Sequence, residues 1–312
     1  MGEMWDFDDD LNDSGKSGNT KKMLLWRVLL TVCAVGAVFT VGSLAYRTLR
    51  SWHEEQILKQ LANQTVESGP PTPVPAETPR PPEPSVTPEP VKEKSWDQLT
   101  REEKIQKLEE FFAIDIPDKK IDFAALQEET NSDIYAWIYI PDTKIDYPVL
   151  QHPDDNLYYL NYNIDGTKGY PGCIYTENYN AKDFSDHNTV IYGHNMKNGT
   201  MFAGLHQFED SDFFAEHPYV YIYTEDEVYI AQVFAAYEFS DVHLLNAYST
   251  DTEIGFGIYL DEVMDVRSMN GNFDSDIEVT GQDRILTLST CISGKPDNRY
   301  LVQGVLLQIN ET

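Results

Sequence analysis

Near the C-terminus the chain reads Thr287-Leu-Ser-Thr-Cys-Ile-Ser-Gly-Lys-Pro-Asp-Asn-Arg-Tyr-Leu-Val-Gln-Gly304. The run 284–290 (RILTLST) alternates apolar and polar residues, as a half-buried strand does, and 300–309 (YLVQGVLLQI) reads as a second strand. Between them the Gly/Pro/Asp/Asn composition predicts a polar loop. A cysteine kept only for packing belongs inside a strand, whereas Cys291 stands at a strand exit. Arg299 opens the next strand. If the two strands are neighbours, the loop returns the guanidinium to the sulfur.

Six further runs upstream read as strands: 134–140, 144–150, 172–177, 188–193, 219–224 and 227–239, with Glu225-Asp226 as a hairpin turn. Helical spacing marks 97–112, with Ser95 or Asp97 as N-cap, a short segment at 122–130, and 256–269. Many short strands separated by turns predict a mainly β fold, a barrel or sandwich carrying a few helices. No internal repeat interrupts this pattern.

Composition limits the function classes. The chain has 312 residues, 52 acidic against 23 basic, for a net charge of −29. A nucleic-acid surface needs clustered Lys and Arg, so that class is excluded. With 19 Tyr, 14 Phe and 5 Trp the chain holds enough aromatic mass for a core. Three cysteines, Cys33, Cys173 and Cys291, are too few for a disulfide scaffold. The acids show no metal-ligand spacing, and nothing calls for a cofactor.

The N-terminal third has a different grain. Residues 1–20 are polar and acidic and expected without structure, within a cytoplasmic tail of residues 1–22. An apolar run at 28–46 (VLLTVCAVGAVFTVGSLAY), within a segment 23–46, has the length of a membrane-spanning helix. A cleaved signal peptide is the competing reading, since Ser43-Leu44-Ala45 is a passable cleavage site. Lys16, Lys21, Lys22 and Arg27 before the run, against Arg47, Arg50 and Lys59 after it, bias the N-terminus inward. A juxtamembrane segment, 47–68, leads to a proline-rich stretch at 69–94 that cannot build a core and favours extended polyproline II, a stalk or a mere tether. Residues 95–312 are the folded domain, outside the cell if the anchor points that way.

A nucleophilic cysteine needs a partner that moves protons and a group that holds the developing oxyanion. Of seven histidines, His53 lies in the juxtamembrane segment, and His152, His187, His206, His217 and His243 lie in or beside polar loops, where a solvated imidazole is expected. His194 ends the apolar strand Val190–Gly193 and thus shares the strand-exit position of Cys291. Arg299 can donate to an oxyanion, although an ion pair with Asp297 fits its spacing as well. A Cys291–Cys173 disulfide is the alternative for the cysteine.

TLSTC, YGHNM and NRYLVQG, taken together, resemble the sortases, the membrane-anchored cysteine transpeptidases of Gram-positive bacteria. The lead-in DFAALQEETNSDIYAWIYIPDTKIDYPVLQ, the stretch DNLYYLNYNIDGTKGYPGCIYTENYN and NTVIYGHNMKNGTMFAGLHQF resemble class B in particular. The resemblance covers about 97–312. It implies an eight-stranded β-barrel with N-terminal helices and a helix in the loop before the cysteine strand. It also implies Cys291 as nucleophile, His194 as general acid/base and Arg299 as the oxyanion-stabilising residue, with Asn156, Tyr192, Ser289 and Thr290 along the peptide groove. Many class B members carry an acid shortly after the cysteine. Here the run is Cys291-Ile292-Ser293-Gly294, which puts any role for such an acid in doubt.

The reaction so implied cleaves a C-terminal sorting motif of surface proteins through a Cys thioester and passes the product to an amine. That amine belongs to a peptidoglycan precursor of the cell wall or, alternatively, to a pilin lysine; water in its place gives hydrolysis. Papain-like peptidases place Cys before His, the reverse of the order here. A non-catalytic binding module on a stalk, its cysteine disulfide-bonded, is the rival from another class.

Overall fold

The computed structural model describes residues 14–64, 66–67, 94–266 and 271–309. The chain divides into two units, residues 1–55 and 56–312. The described part of the first unit is one helix, α1 (Ser14–Gln64), which runs on into the second. It takes in the apolar run at 28–46 and also residues 14–20, expected without structure. Along it Leu29, Leu30, Val41 and Leu44 are exposed. Several side chains of 23–46 lie outside the described residues, and among those described no helix is long and apolar enough to cross a membrane. The expected span is therefore without structural support. The expected stalk, Lys94 apart, also lies outside the described residues.

In the second unit the patterning of apolar residues yields eight strands of the main sheet: β1 (Ile134–Tyr139), β2 (Asp146–Leu150), β3 (Ile174–Thr176), β4 (Asn188–Tyr192), β5 (Tyr219–Tyr223), β6 (Val228–Ser240), β7 (Ile285–Ile292) and β8 (Lys295–Leu306). Their order is β8-β7-β4-β3-β2-β1-β5-β6, and β8 pairs with β6, so the sheet closes on itself as an eight-stranded barrel. Closure leaves no long unpaired edge. On these strands Trp137, Ile138, Val149, Ile191, Ile222 and Leu288 are all essentially inaccessible.

Helices pack against the barrel strands. Helix α2 (Arg101–Phe112) starts at Thr100, whose hydroxyl accepts the Glu103 N–H while Glu103 reaches back to the Thr100 N–H. This reciprocal cap satisfies two otherwise orphaned donors, so α2 starts beyond both Ser95 and Asp97, while Ser95 is the N-cap of a separate 3-10 turn, Trp96–Gln98. Helix α3 (Phe123–Glu129) is capped by Asp122. Short helices α4 (Tyr158–Asn161), α5 (Ser211–Glu216) and α6 (Leu244–Ala247) and a 3-10 helix at Phe202–Glu209 fill loops that sequence patterning left unassigned. Helix α7 (Glu253–Asp265) occupies the connection before β7, as expected, and buries Phe256, Tyr259, Leu260 and Val263 against Phe234, Tyr237 and Leu301.

The C-terminal hairpin differs from its sequence reading. The polar loop expected over 291–299 is strand on both sides: β7 continues through Ile292, β8 begins at Lys295, and only Ser293-Gly294 turn, with Gly294 at φ +81°. Glycine adopts that left-handed conformation without steric cost. The consequence is a direct cross-strand pairing of Cys291 with Arg299.

Candidate active site

Register explains why three residues distant in sequence share one rim. Strands β4 and β7 are parallel neighbours with Tyr192 opposite Ser289. His194 lies two residues beyond Tyr192 and Cys291 two beyond Ser289, so both leave the parallel pair at the same end and the same level. The antiparallel β7–β8 pairing then sets Arg299 opposite Cys291, and side chains directly opposite on one face have Cβ atoms about 5 Å apart. All three line one cleft of about 330 Å³.

Each member is held differently. Cys291 is an exposed free thiol, and Cys173 is a separate buried thiol directed at the Tyr162 carbonyl at 3.5 Å. The disulfide alternative is thereby removed. His194 Nε2 lies 2.9 Å from the Leu160 carbonyl. A carbonyl only accepts, so Nε2 carries the proton, and in the neutral ring Nδ1 is the atom left for proton transfer. The ring packs against Tyr170, centroids 5.0 Å apart. Arg299 Nη1 donates to the carbonyls of Pro296 and Asn298, both at 2.9 Å, so the backbone of its own strand braces the guanidinium beside the cleft.

Of the residues expected along the groove, Tyr192, Ser289 and Thr290 line the same cleft. The Thr290 hydroxyl donates to the Gly193 carbonyl at 2.8 Å, and the Ser289 carbonyl accepts the Gly193 N–H at 3.2 Å, so these two stitch β7 to the His194 strand end. Tyr192 stacks on Tyr175. Asn156 is not among the lining residues; its side-chain oxygen accepts the Asn178 N–H at 2.7 Å.

Two histidines set aside as solvated are engaged here. His243 lines the cleft, its Nε2 2.7 Å from Oε2 of Glu177, a carboxylate that is 4% exposed. Burial pushes the Glu177 carboxyl above its usual range, and the His243 partner opposes that shift. Burial and then the neighbouring Glu177 charge push the Tyr192 phenol far above 10. His206 meets the backbone of Cys291 itself, with Nε2 3.2 Å from the Cys291 carbonyl. Neither contact has a local sequence signal, since each joins segments at least 66 residues apart. Among the described residues no group of His, Cys, Asp and Glu is arranged to hold a metal ion.

The sortase domain family matches residues 138–307. Sortase B of Listeria monocytogenes is 36% identical over 182 residues, which span 58% of this chain and 72% of that protein. A solved structure of sortase B from B. anthracis superimposes with a TM-score of 0.53 at 33% identity, covering 60% of this chain and 84% of that one. A Staphylococcus aureus sortase B–substrate complex gives a TM-score of 0.53 at 29% identity, covering 66% and 93%.

Proposed function

Because this chain belongs to the sortase family, within its class B, we propose that it is a membrane-anchored cysteine transpeptidase of the cell envelope that works through Cys291, His194 and Arg299. The observation that supports this reading most directly is the register that aligns β4, β7 and β8 at one rim.

In the proposed cycle the Cys291 thiolate attacks a backbone carbonyl of a sorting motif, forming a C–S bond. Arg299 donates to the oxyanion as negative charge gathers on oxygen. The C–N bond then breaks, and His194, which carries a proton on Nδ1 as well as Nε2 while Cys291 is a thiolate, gives the Nδ1 proton to the departing amine, leaving a thioester. An incoming amine attacks the thioester, His194 takes up its proton, and the sulfur departs as thiolate. The acceptor we favour is an amine of a peptidoglycan precursor, so that surface proteins are fixed to the wall. The apolar run at 28–46, within α1, and the proline-rich stretch at 69–94 support an N-terminal anchor and stalk that hold the domain outside the cell.

The test is incubation of the full chain, in detergent, with a library of sorting-type peptides and a panel of amines. A mass gain on Cys291 equal to the N-terminal part of a cleaved peptide is expected, followed by transfer to the amine. Cys291→Ala should lower the rate roughly a thousandfold or more while the protein stays folded. Activity near wild type in that variant overturns the nucleophile assignment, and transfer only to a lysine-bearing pilin segment overturns the cell-wall acceptor.

A further inference from the structure

The hairpin ladder changes register between Cys291 and Ile292. A bulge of this kind re-aims a side chain and loosens the backbone that carries it. At this position the Cys291 carbonyl meets two side chains. Asn195 Nδ2 donates to it at 2.9 Å, and His206 Nε2 lies 3.2 Å away. Asn195 Nδ2 and His206 Nε2 are themselves 3.0 Å apart. His206 is fixed on its other side by Glu209, whose carboxylate is 2.6 Å from Nδ1, and its ring lies on Tyr300, centroids 5.0 Å apart and planes 28° from parallel.

One proton arrangement uses every one of these atoms. Glu209 can only accept, so Nδ1 carries a hydrogen, and the neutral ring presents a lone pair at Nε2. Asn195 then donates one amide hydrogen to Nε2 and the other to the Cys291 carbonyl. Protonation of His206 would instead direct Nε2–H at that carbonyl, which keeps a donor in either state. Asn195 also directly follows His194, and its backbone bridges to Met201 at the base of a short hairpin. One amide group therefore ties the backbone beside the general acid/base to the backbone of the nucleophile.

We propose that Asn195, its amide oriented by the His206–Glu209 pair, is a positioning residue that sets the aim of Cys291 and its spacing from His194. The inference rests on Cys291 acting as the nucleophile. A rim hydrogen bond is a small part of a domain's stability, whereas misplacing a reacting atom by about 1 Å costs on the order of a hundredfold in rate. The clamp is thus a device for rate rather than for folding.

The full-length protein tests it through kcat, KM for a cleavable sorting peptide, and thermal melting. Asn195→Ala and His206→Ala should each lower kcat roughly tenfold to a hundredfold with KM and melting unchanged. His206→Gln, whose side-chain carbonyl can accept the Asn195 amide, should recover most of what His206→Ala loses, a rescue that loss of packing on Tyr300 would not give. If His206→Ala fails to fold, the exposed Glu209→Gln decides: a several-fold fall in kcat at constant KM is expected. Unchanged kcat in Asn195→Ala or Glu209→Gln overturns the proposal, as does a rise in KM alone or His206→Gln no better than His206→Ala. Cys291→Ala run in parallel separates the two ideas. If it is active, the nucleophile reading falls; if it is inactive beside a normal Asn195→Ala, only the clamp falls.

Discussion

The proton inventory of the site turns on one carbonyl. Leu160 O fixes the Nε2–H of His194, and that carbonyl is itself crowded by Gly172, which has φ +68°. A Cβ built on Gly172 would stand 2.7 Å from the Tyr159 carbonyl, 3.1 Å from the Leu160 carbonyl and 3.4 Å from His194 Cδ2. Gly172→Ala therefore adds left-handed strain of roughly 1–2 kcal/mol and pushes on the group that holds the imidazole. We expect a modestly lower melting temperature together with a transpeptidation rate at least tenfold down, because displacing a group that the proposed cycle uses costs far more in rate than in stability. Melting and turnover measured on the same preparation check this. A lower melting temperature with normal turnover would show that the Leu160 bond does not govern His194.

At the scale of elements, the junction of β7, β8 and α7 is held by a buried polar chain. Tyr237 donates its hydroxyl to Gln303 Oε1 at 3.0 Å. Gln303 Nε2 donates to the Tyr259 hydroxyl at 2.6 Å and to the Thr287 hydroxyl at 2.8 Å, and Thr287 donates to Asn188 at 2.7 Å. Gln303 is fully buried, and a buried network costs most when one member is removed and its partners are left unpaired. Gln303→Ala should destabilise by about 1–3 kcal/mol for each orphaned partner, read as a lower urea midpoint at constant slope. An unchanged midpoint would mean that water replaces the amide. The strands bearing this network were legible because alternation of apolar residues marks them, down to the Glu225-Asp226 turn between β5 and β6. The β7–β8 turn was misread because Lys295, Pro296, Asp297 and Asn298 have poor strand propensity, and their extended form comes from pairing that no local pattern encodes. The cap of α2 was legible in Thr100-x-x-Glu103 and was assigned too early in the chain. Cys291, His194 and Arg299 stood out by position and motif. The parallel β4–β7 pairing that aligns them, and the His206 and Glu177–His243 contacts around them, join segments too far apart in sequence to be read locally.

For the whole molecule, tyrosines set an upper pH limit. Burial, the leading cause in each case, raises Tyr221, Tyr229 and Tyr259 to about 12. It raises Tyr135, Tyr159, Tyr175, Tyr192, Tyr223, Tyr237 and Tyr300 further above the ordinary value of 10. The folded protein thus keeps phenolic protons that the unfolded chain has released. Between the ordinary value near 10 and the raised values the native state binds more protons, so stability falls as pH rises through that window and is fully present below it. Each phenol contributes in the same direction, and a chain of net charge −29 gains further negative charge, and repulsion, as it unfolds there. Alkaline unfolding should therefore begin close to pH 10, with far-ultraviolet dichroism and phenolate absorbance changing together in one cooperative step. Tyr237→Phe removes one of these linked protons and should make the alkaline loss of stability shallower, whatever it does to stability at neutral pH. Phenolate absorbance that rises through a single midpoint near 10 while the dichroism stays native would contradict this account, because the buried phenols would then be ionising inside an intact barrel.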